Sequence, residues 1–296
     1  ATLNTNNIVG ALGTNPTTLA TYNAARGRMV ENACPPGQRN KSMILSPGMQ
    51  QSVATAVSTF FNPQTTISSV FRDGVLLENA QGFGTWEESM SLINTTADVW
   101  AGTVEATAAG QSGSSLTVTC TTGDTFTAGT VFNLEGVYNV NPQTRESTGT
   151  LKQFVITADT VGVASSATLS ISPAIVGPGA TPTDAQYQNV LALPAAGADL
   201  TMYPGTTAPS TGPKTGRNGL ALDRNAFAMV GVKLDAPENG GGIISSQKQD
   251  PNTGLTVRFV RAWDNIQSRW TNRFDVAYGF GNLYPDQCSV RVLSST

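Results

Sequence analysis

Apolar residues near the start of the chain follow helical spacing. Segment 17–33 comes after Asn15-Pro16, a common helix start, and its apolar residues recur at steps of three and four. Pro47 opens a second amphipathic segment, since its fixed φ suits the first turn of a helix. Between the two helices, 41–47 is a short apolar run typical of a buried strand. Two further elements are predicted, a helix at 67–76 and a strand at 82–93.

From about Val99 the pattern changes to short alternating runs that are typical of strands. Residues 99–203 are rich in Thr, Gly and Val and repeat a strand–turn unit. Short strands at such regular spacing indicate a small closed barrel or sandwich. Because this β segment stands between a helical beginning and a mixed end, we interpret it as an insertion. The clearest strands are SLTVTCT, TVFNLEGVYNV, GTLKQFVITAD, ATLSISPAI and ADLTMYP.

The segment from Gly219 to the end has the strongest strand pattern. LALDRNAFAMVGVKL is predicted to begin as a short helix or turn capped by Asp223 and to continue as a strand. Two long strands, 255–264 and 271–280, follow a glycine-rich loop at 238–242 that we expect to be flexible. CSVRVL is predicted as the last strand.

The composition excludes several classes of partner. Only 12% of the 296 residues are charged and the formal net charge is −3, without a basic stripe, so tight binding of nucleic acid is not expected. No apolar run approaches the roughly 18 residues of a membrane-spanning helix, and we expect no membrane association. A polar surface built from Thr, Ser, Asn, Gln and Gly is typical of secreted β-rich proteins and of assembly subunits.

The residue types argue against catalysis. Histidine is absent, which removes Ser-His-Asp and Cys-His nucleophile systems and His-ligated zinc. Glu87 and Glu88, or Asp264 and Asp275, are candidate carboxylate pairs for hydrolysis, but their spacing in the sequence gives no reason to expect a catalytic separation. The three cysteines, Cys34, Cys120 and Cys288, are odd in number and far apart, so buried free thiols are preferred over a disulfide. We therefore expect no enzyme, no cofactor and no metal site.

Three stretches resemble one known family. The C-terminal segment, the internal VYNVNPQTRESTGTLKQFVIT and the helix entry LSPGMQ resemble the major capsid (coat) proteins of tailed bacteriophages of the P-twenty-two type. These matches are spread over most of the chain, and NVNPQTRESTGTLKQF is the most specific. The resemblance implies an α+β chain with the Hong Kong 97 capsid fold. Residues 1–98 and 206–296 would supply the A-domain and P-domain, and 99–205 an inserted β-barrel, the I-domain.

The resemblance also implies a structural function. The chain would be a major capsid subunit that self-assembles in the host bacterial cytoplasm, as hexamers and pentamers, into the icosahedral shell of the virion. That shell encloses DNA without sequence-specific binding, and scaffolding, portal and decoration proteins are further expected partners. Coat proteins of this family carry an N-terminal arm, an extended hairpin (E-loop) and a spine helix ahead of the matched region. We expect these parts to be missing, removed or supplied by another chain.

The candidate contact residues are arginines and glycines of the C-terminal segment. The arginines fit cross-strand ion pairs with Asp264 and Asp275, or, in a shell subunit, bidentate pairing with carboxylates of a neighbouring subunit. Three consecutive glycines are a candidate hinge that absorbs the difference between hexamers and pentamers. The arginines are Arg258, Arg261, Arg269, Arg273 and Arg291, and the glycines are Gly240, Gly241 and Gly242.

The main rival is a β-rich adhesin or carbohydrate-binding module. It is supported by the Thr/Asn-rich composition and by aromatic residues that could be exposed. For the tryptophans, core or domain-junction packing is preferred over a ligand platform. They are Trp86, Trp100, Trp263 and Trp270.

Overall fold

The computed structural model describes residues 6–37, 40–58, 80–96, 102–179, 186–203 and 215–295. The helix predicted at 67–76, Trp100 and both boundaries of the predicted insertion lie outside these ranges. The chain divides into two compact units. The main unit comprises residues 1–226 and 284–296, and the sheet unit comprises residues 227–283. The three-part division at 98/99 and 205/206 stays a prediction.

The elements of the first part of the chain are β1 (Ile8–Gly10), α1 (Leu19–Glu31), β2 (Lys41–Leu45), α2 (Pro47–Ser58), β3 (Thr85–Glu88) and β4 (Asn94–Thr96). The next part contains β5 (Glu105–Ala106), β6 (Gly113–Thr119), β7 (Thr125–Phe126), β8 (Val131–Val140), β9 (Ser147–Ile156), β10 (Thr160–Val161), β11 (Ser166–Ile175) and β12 (Leu200–Met202). The last part contains β13 (Thr215–Asp223), β14 (Phe227–Val232), β15 (Ile243–Gln249), β16 (Thr256–Asp264), β17 (Arg269–Asn282), α3 (Pro285–Cys288) and β18 (Ser289–Leu293).

The two predicted helices that lie within the described residues are confirmed. Helix α1 buries Tyr22, Ala25 and Met29, which follow the spacing of one helical face. The helix ends in a Schellman motif. Ala33 takes a positive φ of 61°, and the Cys34 backbone N–H donates to Met29 O at 2.9 Å. Helix α2 begins at Pro47, as its sequence predicts. No helix among the described residues is both long enough and apolar enough to span a membrane.

One sheet of the main unit joins the two ends of the chain. Its strand order is β1-β18-β13-β2-β3, and β4 also pairs with β13. Strand β18 runs parallel to β1 and antiparallel to β13, and all five of its residues are buried. The helix or turn predicted at the start of LALDRNAFAMVGVKL is wrong for the residues before Asp223. Residues 219–222 pair with β18 and belong to a strand. Asp223 instead accepts a hydrogen bond from the Asn225 backbone N–H at 3.0 Å in the following turn.

The predicted β segment is confirmed as a β-rich, barrel-like structure in the main unit. Its six-stranded sheet has the order β12-β8-β9-β11-β6-β5, and β7 pairs with β10 beside it. All five strands predicted here are present. Their inward residues, among them Leu116, Phe132, Phe154 and Leu169, form one buried cluster. Period-two burial explains β6 and the first half of β11, whereas residues 152–156 of β9 are buried on both faces of the strand.

The sheet unit is a single four-stranded antiparallel sheet of order β14-β17-β16-β15. The two long predicted strands are confirmed as β16 and β17, joined by a turn in which Ser268 has a φ of 47°. Gly240, Gly241 and Gly242 form the turn that leads into β15, with φ values of 155°, 60° and 90° that favour glycine.

Candidate interaction surface

Strict alternation gives the sheet unit two chemically different faces. Strands β16 and β17 pair residue by residue from Val257 opposite Val276 to Asp264 opposite Arg269, so alternate positions share a face. We call one the aromatic face and the other the arginine face. The aromatic face carries Met229, Ile244, Val257, Phe259, Trp263, Trp270, Phe274, Val276, Tyr278 and Phe280, and the arginine face carries Arg258, Asp264, Arg269, Arg273 and Asp275.

Within the sheet unit, no other strand or helix covers the aromatic face. Phe280 is 75% exposed, Phe274 71% and Tyr278 59%. Its rings meet across the strands: Phe259 and Phe274 have centroids 5.0 Å apart, and Trp263 and Trp270 are 5.3 Å apart. A contiguous exposed apolar surface of this kind typically marks an interaction site.

Arg261 belongs to the aromatic face rather than to an ion pair. Its guanidinium carbon lies 4.3 Å from the centroid of the Trp270 ring, a cation–π contact. Opposite Arg261 in the register is Asn272, not an acid. This candidate arginine therefore places a positive charge beside the exposed rings.

On the arginine face, two arginines converge on one carboxylate. Arg258 Nη2 lies 2.6 Å from one oxygen of Asp275, and Arg273 Nε lies 2.6 Å from the other. Hydrogen bonds from Arg258 and Arg273 hold the pKa of Asp275 below its usual value. The predicted pairing with Asp275 is confirmed. Two cations on one anion leave a local positive charge, and the Arg273 side chain is 71% exposed.

The other predicted acid has a different role. Asp264 faces Arg269 in the register, but its Oδ1 accepts hydrogen bonds from the backbone N–H groups of Ile266 and Gln267. No ion pair of Asp264 is found among the described side chains. Arg269 is exposed at the turn end of β17.

Arg291 lies apart from the other four arginines. It belongs to β18 of the main unit, is 1% exposed, and donates from Nη2 to Gly129 O at 3.3 Å. Burial lowers its pKa to about 10. CSVRVL forms the predicted last strand, and pairing on both sides makes this strand, β18, central in its sheet. The prediction that Arg291 contacts another subunit is therefore wrong, because this side chain is buried within its own chain. For the other four arginines the contact stays a prediction.

The tryptophans that the structure describes differ in exposure. Trp86 is buried in the main unit and packs edge-on against Tyr22 and Phe83, each with centroids 5.8 Å away, so core packing is confirmed. Trp263 and Trp270 are 43% and 44% exposed, so core packing is wrong for these two. The hinge role of the three glycines stays a prediction.

A second cluster was missed from the sequence. Cys34, Asp223 and Cys288 come together in the main unit, with potential ligand atoms within 4.8 Å of one another. All three cysteines are buried, as predicted. Burial raises the pKa of the Cys34 thiol to about 12, with a further contribution from its hydrogen bond with Cys288, and burial also raises the pKa of Cys288. No spacing rule could have found residues so distant in sequence.

No protein-family model and no curated protein matches the chain. Among solved structures, the chain is similar to the CUS-3 coat protein I-domain at 24% sequence identity. The match covers 38% of this chain and 97% of that domain, with a TM-score of 0.24. A TM-score this low does not establish a shared fold.

Proposed function

We propose that the chain is a structural protein, a major capsid subunit of a tailed bacteriophage with the Hong Kong 97 fold. Its mechanism is self-assembly into the icosahedral shell that encloses the DNA genome. The resemblance of NVNPQTRESTGTLKQF and the C-terminal segment to phage coat proteins supports this family. The β-rich segment is compatible with an I-domain placed between the two parts of an A- and P-domain framework.

One structural observation carries the proposal: the sheet unit has no core of its own. Thr256 is the only buried residue among the side chains described between residues 227 and 283. A sheet with one largely apolar face gains stability when another layer covers that face. In a subunit of a symmetric shell, neighbouring copies supply such a layer.

The arginine face fits the same role. Arg273 uses Nε for Asp275, which leaves other guanidinium N–H groups for an acceptor outside the sheet. Rim contacts of this kind are individually weak, and repetition by symmetry makes them effective together. A net charge of −3 keeps repulsion between copies small. Hexamers and pentamers then differ by small changes at these contacts.

The test is sedimentation velocity of the full chain over a concentration series, with electron microscopy of the same samples. We expect capsomers or shells that appear steeply with concentration. Phe274→Ser and Phe280→Ser should each raise the concentration at which assembly begins about 10–100-fold. Each substitution removes an aromatic side chain whose burial between subunits contributes about 1.5–3 kcal/mol. Val163→Ser, at an exposed position of the main unit, is the matched control and should assemble normally. Monomers at every concentration would contradict the proposal.

A carbohydrate-binding module is the second candidate, favoured by the exposed Trp263 and Trp270. Their rings stand at 71° to each other, so they do not form one flat platform for a sugar ring. Glycan-array binding that is lost in Trp270→Ala, from a chain that remains monomeric, would favour this candidate over the shell subunit.

The remaining partners and the cellular site also belong to the proposal. Assembly would take place in the host bacterial cytoplasm and yield a virion component. Scaffolding, portal and decoration proteins would assist it. We propose no enzyme activity, because the sequence contains no histidine, the usual base beside a nucleophile.

A further inference from the structure

The main unit contains a buried cluster of two thiols and a carboxylate that the shell function does not use. Cys34 follows α1, Asp223 ends β13 and Cys288 ends α3, so three separate segments converge. Their potential ligand atoms all lie within 4.8 Å of one another. Asp223 is 1% exposed and Cys288 0%. A buried carboxylate must be compensated by charge or by coordination.

We propose that Cys34, Asp223 and Cys288 bind a zinc ion. Thiolates and a carboxylate are both established zinc ligands, and thiolates favour zinc over the hard cations Mg²⁺ and Ca²⁺. In a tetrahedral site with Zn–S bonds of about 2.3 Å, two sulfurs stand about 3.8 Å apart. Side-chain movements of about 1 Å or less therefore close the observed cluster around an ion. A water molecule takes the fourth position.

The charges around the cluster balance when zinc is bound. Two thiolates and one carboxylate exceed the charge of Zn²⁺ by one negative unit. Lys41 supplies one positive charge: its Nζ lies 3.5 Å from Asp223 Oδ2, and the residue is 4% exposed. Lys41 is fixed by hydrogen bonds to Pro35 O at 2.8 Å and Gly37 O at 3.1 Å. The ammonium is therefore held as a counter-ion next to the site.

The carboxylate is also oriented from outside the cluster. Asp223 Oδ1 accepts hydrogen bonds from the Asn225 backbone N–H at 3.0 Å and from Asn225 Nδ2 at 3.1 Å. Outer hydrogen bonds of this kind fix a ligand in place and strengthen metal binding. A disulfide between the two cysteines would bring the sulfurs to about 2.05 Å and would involve neither Asp223 nor Lys41.

The zinc site is independent of the proposed shell function. Its residues belong to the main unit, and the experiment that tests it measures metal binding rather than assembly. The full chain is purified with a reductant, treated with a chelator and titrated with Co²⁺. One equivalent should bind and give thiolate-to-cobalt charge transfer in the near ultraviolet, and Zn²⁺ should displace it. Free Zn²⁺ at about a hundredfold above Kd should raise Tm by about 5–10 °C.

Substitutions then assign the ligands. Cys34→Ser and Cys288→Ser should each weaken Zn²⁺ binding more than about 100-fold and diminish the charge-transfer band, and Asp223→Asn should weaken binding about 10–100-fold. Cys120→Ser removes the third buried thiol, which lies in the β segment, and should bind as the wild type does.

The zinc site can be tested even if a ligand variant fails to fold, because the cobalt titrations of the wild type and of Cys120→Ser do not depend on that variant. Stoichiometric cobalt binding with the charge-transfer band supports the site. Three results would overturn it. They are no stoichiometric binding, undiminished binding in Cys34→Ser, and a Cys34–Cys288 disulfide in protein purified without reductant that takes up no metal after reduction.

Discussion

The side chain of Gln153 pairs with both backbone groups of Ile8, as a neighbouring strand would. Ile8 N–H donates to Gln153 Oε1 at 2.8 Å, and Gln153 Nε2 donates to Ile8 O at 3.1 Å. The same amide nitrogen also donates to the Tyr203 hydroxyl at 2.8 Å. Gln153 lies on β9 and Ile8 on β1, the edge strand of the β1-β18-β13-β2-β3 sheet. One buried side chain therefore connects the β segment to that sheet.

Gln153→Ala should lower the free energy of unfolding by about 2–4 kcal/mol, because it leaves the buried backbone groups of Ile8 without partners. Gln143→Ala is the control: this residue is exposed, and removing its side chain should change stability by less than about 0.5 kcal/mol. Urea denaturation of both variants measures the difference. Equal stability of the two variants would show that the Gln153 contact is not formed in solution.

Lys152, the next residue, should make stability depend on pH. Burial lowers its pKa from 10.5 to about 8, while the charge of Asp286 acts in the opposite direction. Since the folded-state pKa is the lower one, the unfolded chain binds more protons between pH 8 and 10.5, and stability rises with pH over that range. The free energy of unfolding should therefore rise by about 1.4 kcal/mol from pH 7 to 9 through this residue.

Lys152→Met isolates this contribution. The stability of the wild type minus that of the variant should increase from pH 7 to 9, as measured by urea denaturation at each pH. Subtracting the variant removes the effects of Cys34 and Cys288, whose raised pKa values act in the opposite sense above about pH 9. The exposed Lys233→Met shows what removal of a surface lysine does. A difference that stays constant with pH would refute the buried, ionisable state of Lys152.

The arginine face should contribute to assembly through charge. The double variant Arg269→Ala and Arg273→Ala should raise the assembly threshold severalfold in low salt, and less at high salt, since exposed ion pairs are screened. Arg224→Ala, an exposed arginine of the main unit, serves as the control. Light scattering over a salt series measures both. Shells that form with normal yield and stability in the double variant would argue against the candidate contacts.

The glycine turn gives a further prediction about shell geometry. Gly240, Gly241 and Gly242 all have positive φ, so replacing them with alanine strains the turn. If this turn absorbs the difference between hexamers and pentamers, the triple variant should produce shells of altered size or curvature in electron micrographs. Gly279→Ala on β17 is a control without positive φ and with open space at its Cβ position. Shells of normal size from the triple variant would count against the hinge.

Local periodicity was enough to predict much of the fold. Helix α2 begins where Pro47 indicated, and β8, β9 and β11 follow alternating or apolar runs in the sequence. These elements depend on residues close together in the chain. The same reasoning identified β16 and β17 and the pairing of arginines with Asp275.

What the sequence did not predict depends on distant pairing. Arg291 is buried because β1 and β13 flank its strand, and no local pattern specifies those neighbours. Trp263 and Trp270 show the opposite error: alternation looks the same whether a face is covered or open. Cys34 and Cys288 meet only because α1 and the C-terminal elements pack in one unit.

The central claim is that copies of this chain cover the aromatic face of the sheet unit. Cryo-electron microscopy of particles assembled from the full chain tests it most directly. We expect closed shells in which Phe274, Tyr278 and Phe280 lie at a boundary between subunits, shielded from solvent. A particle of one chain at high concentration, or shells in which these three rings face solvent, would contradict it.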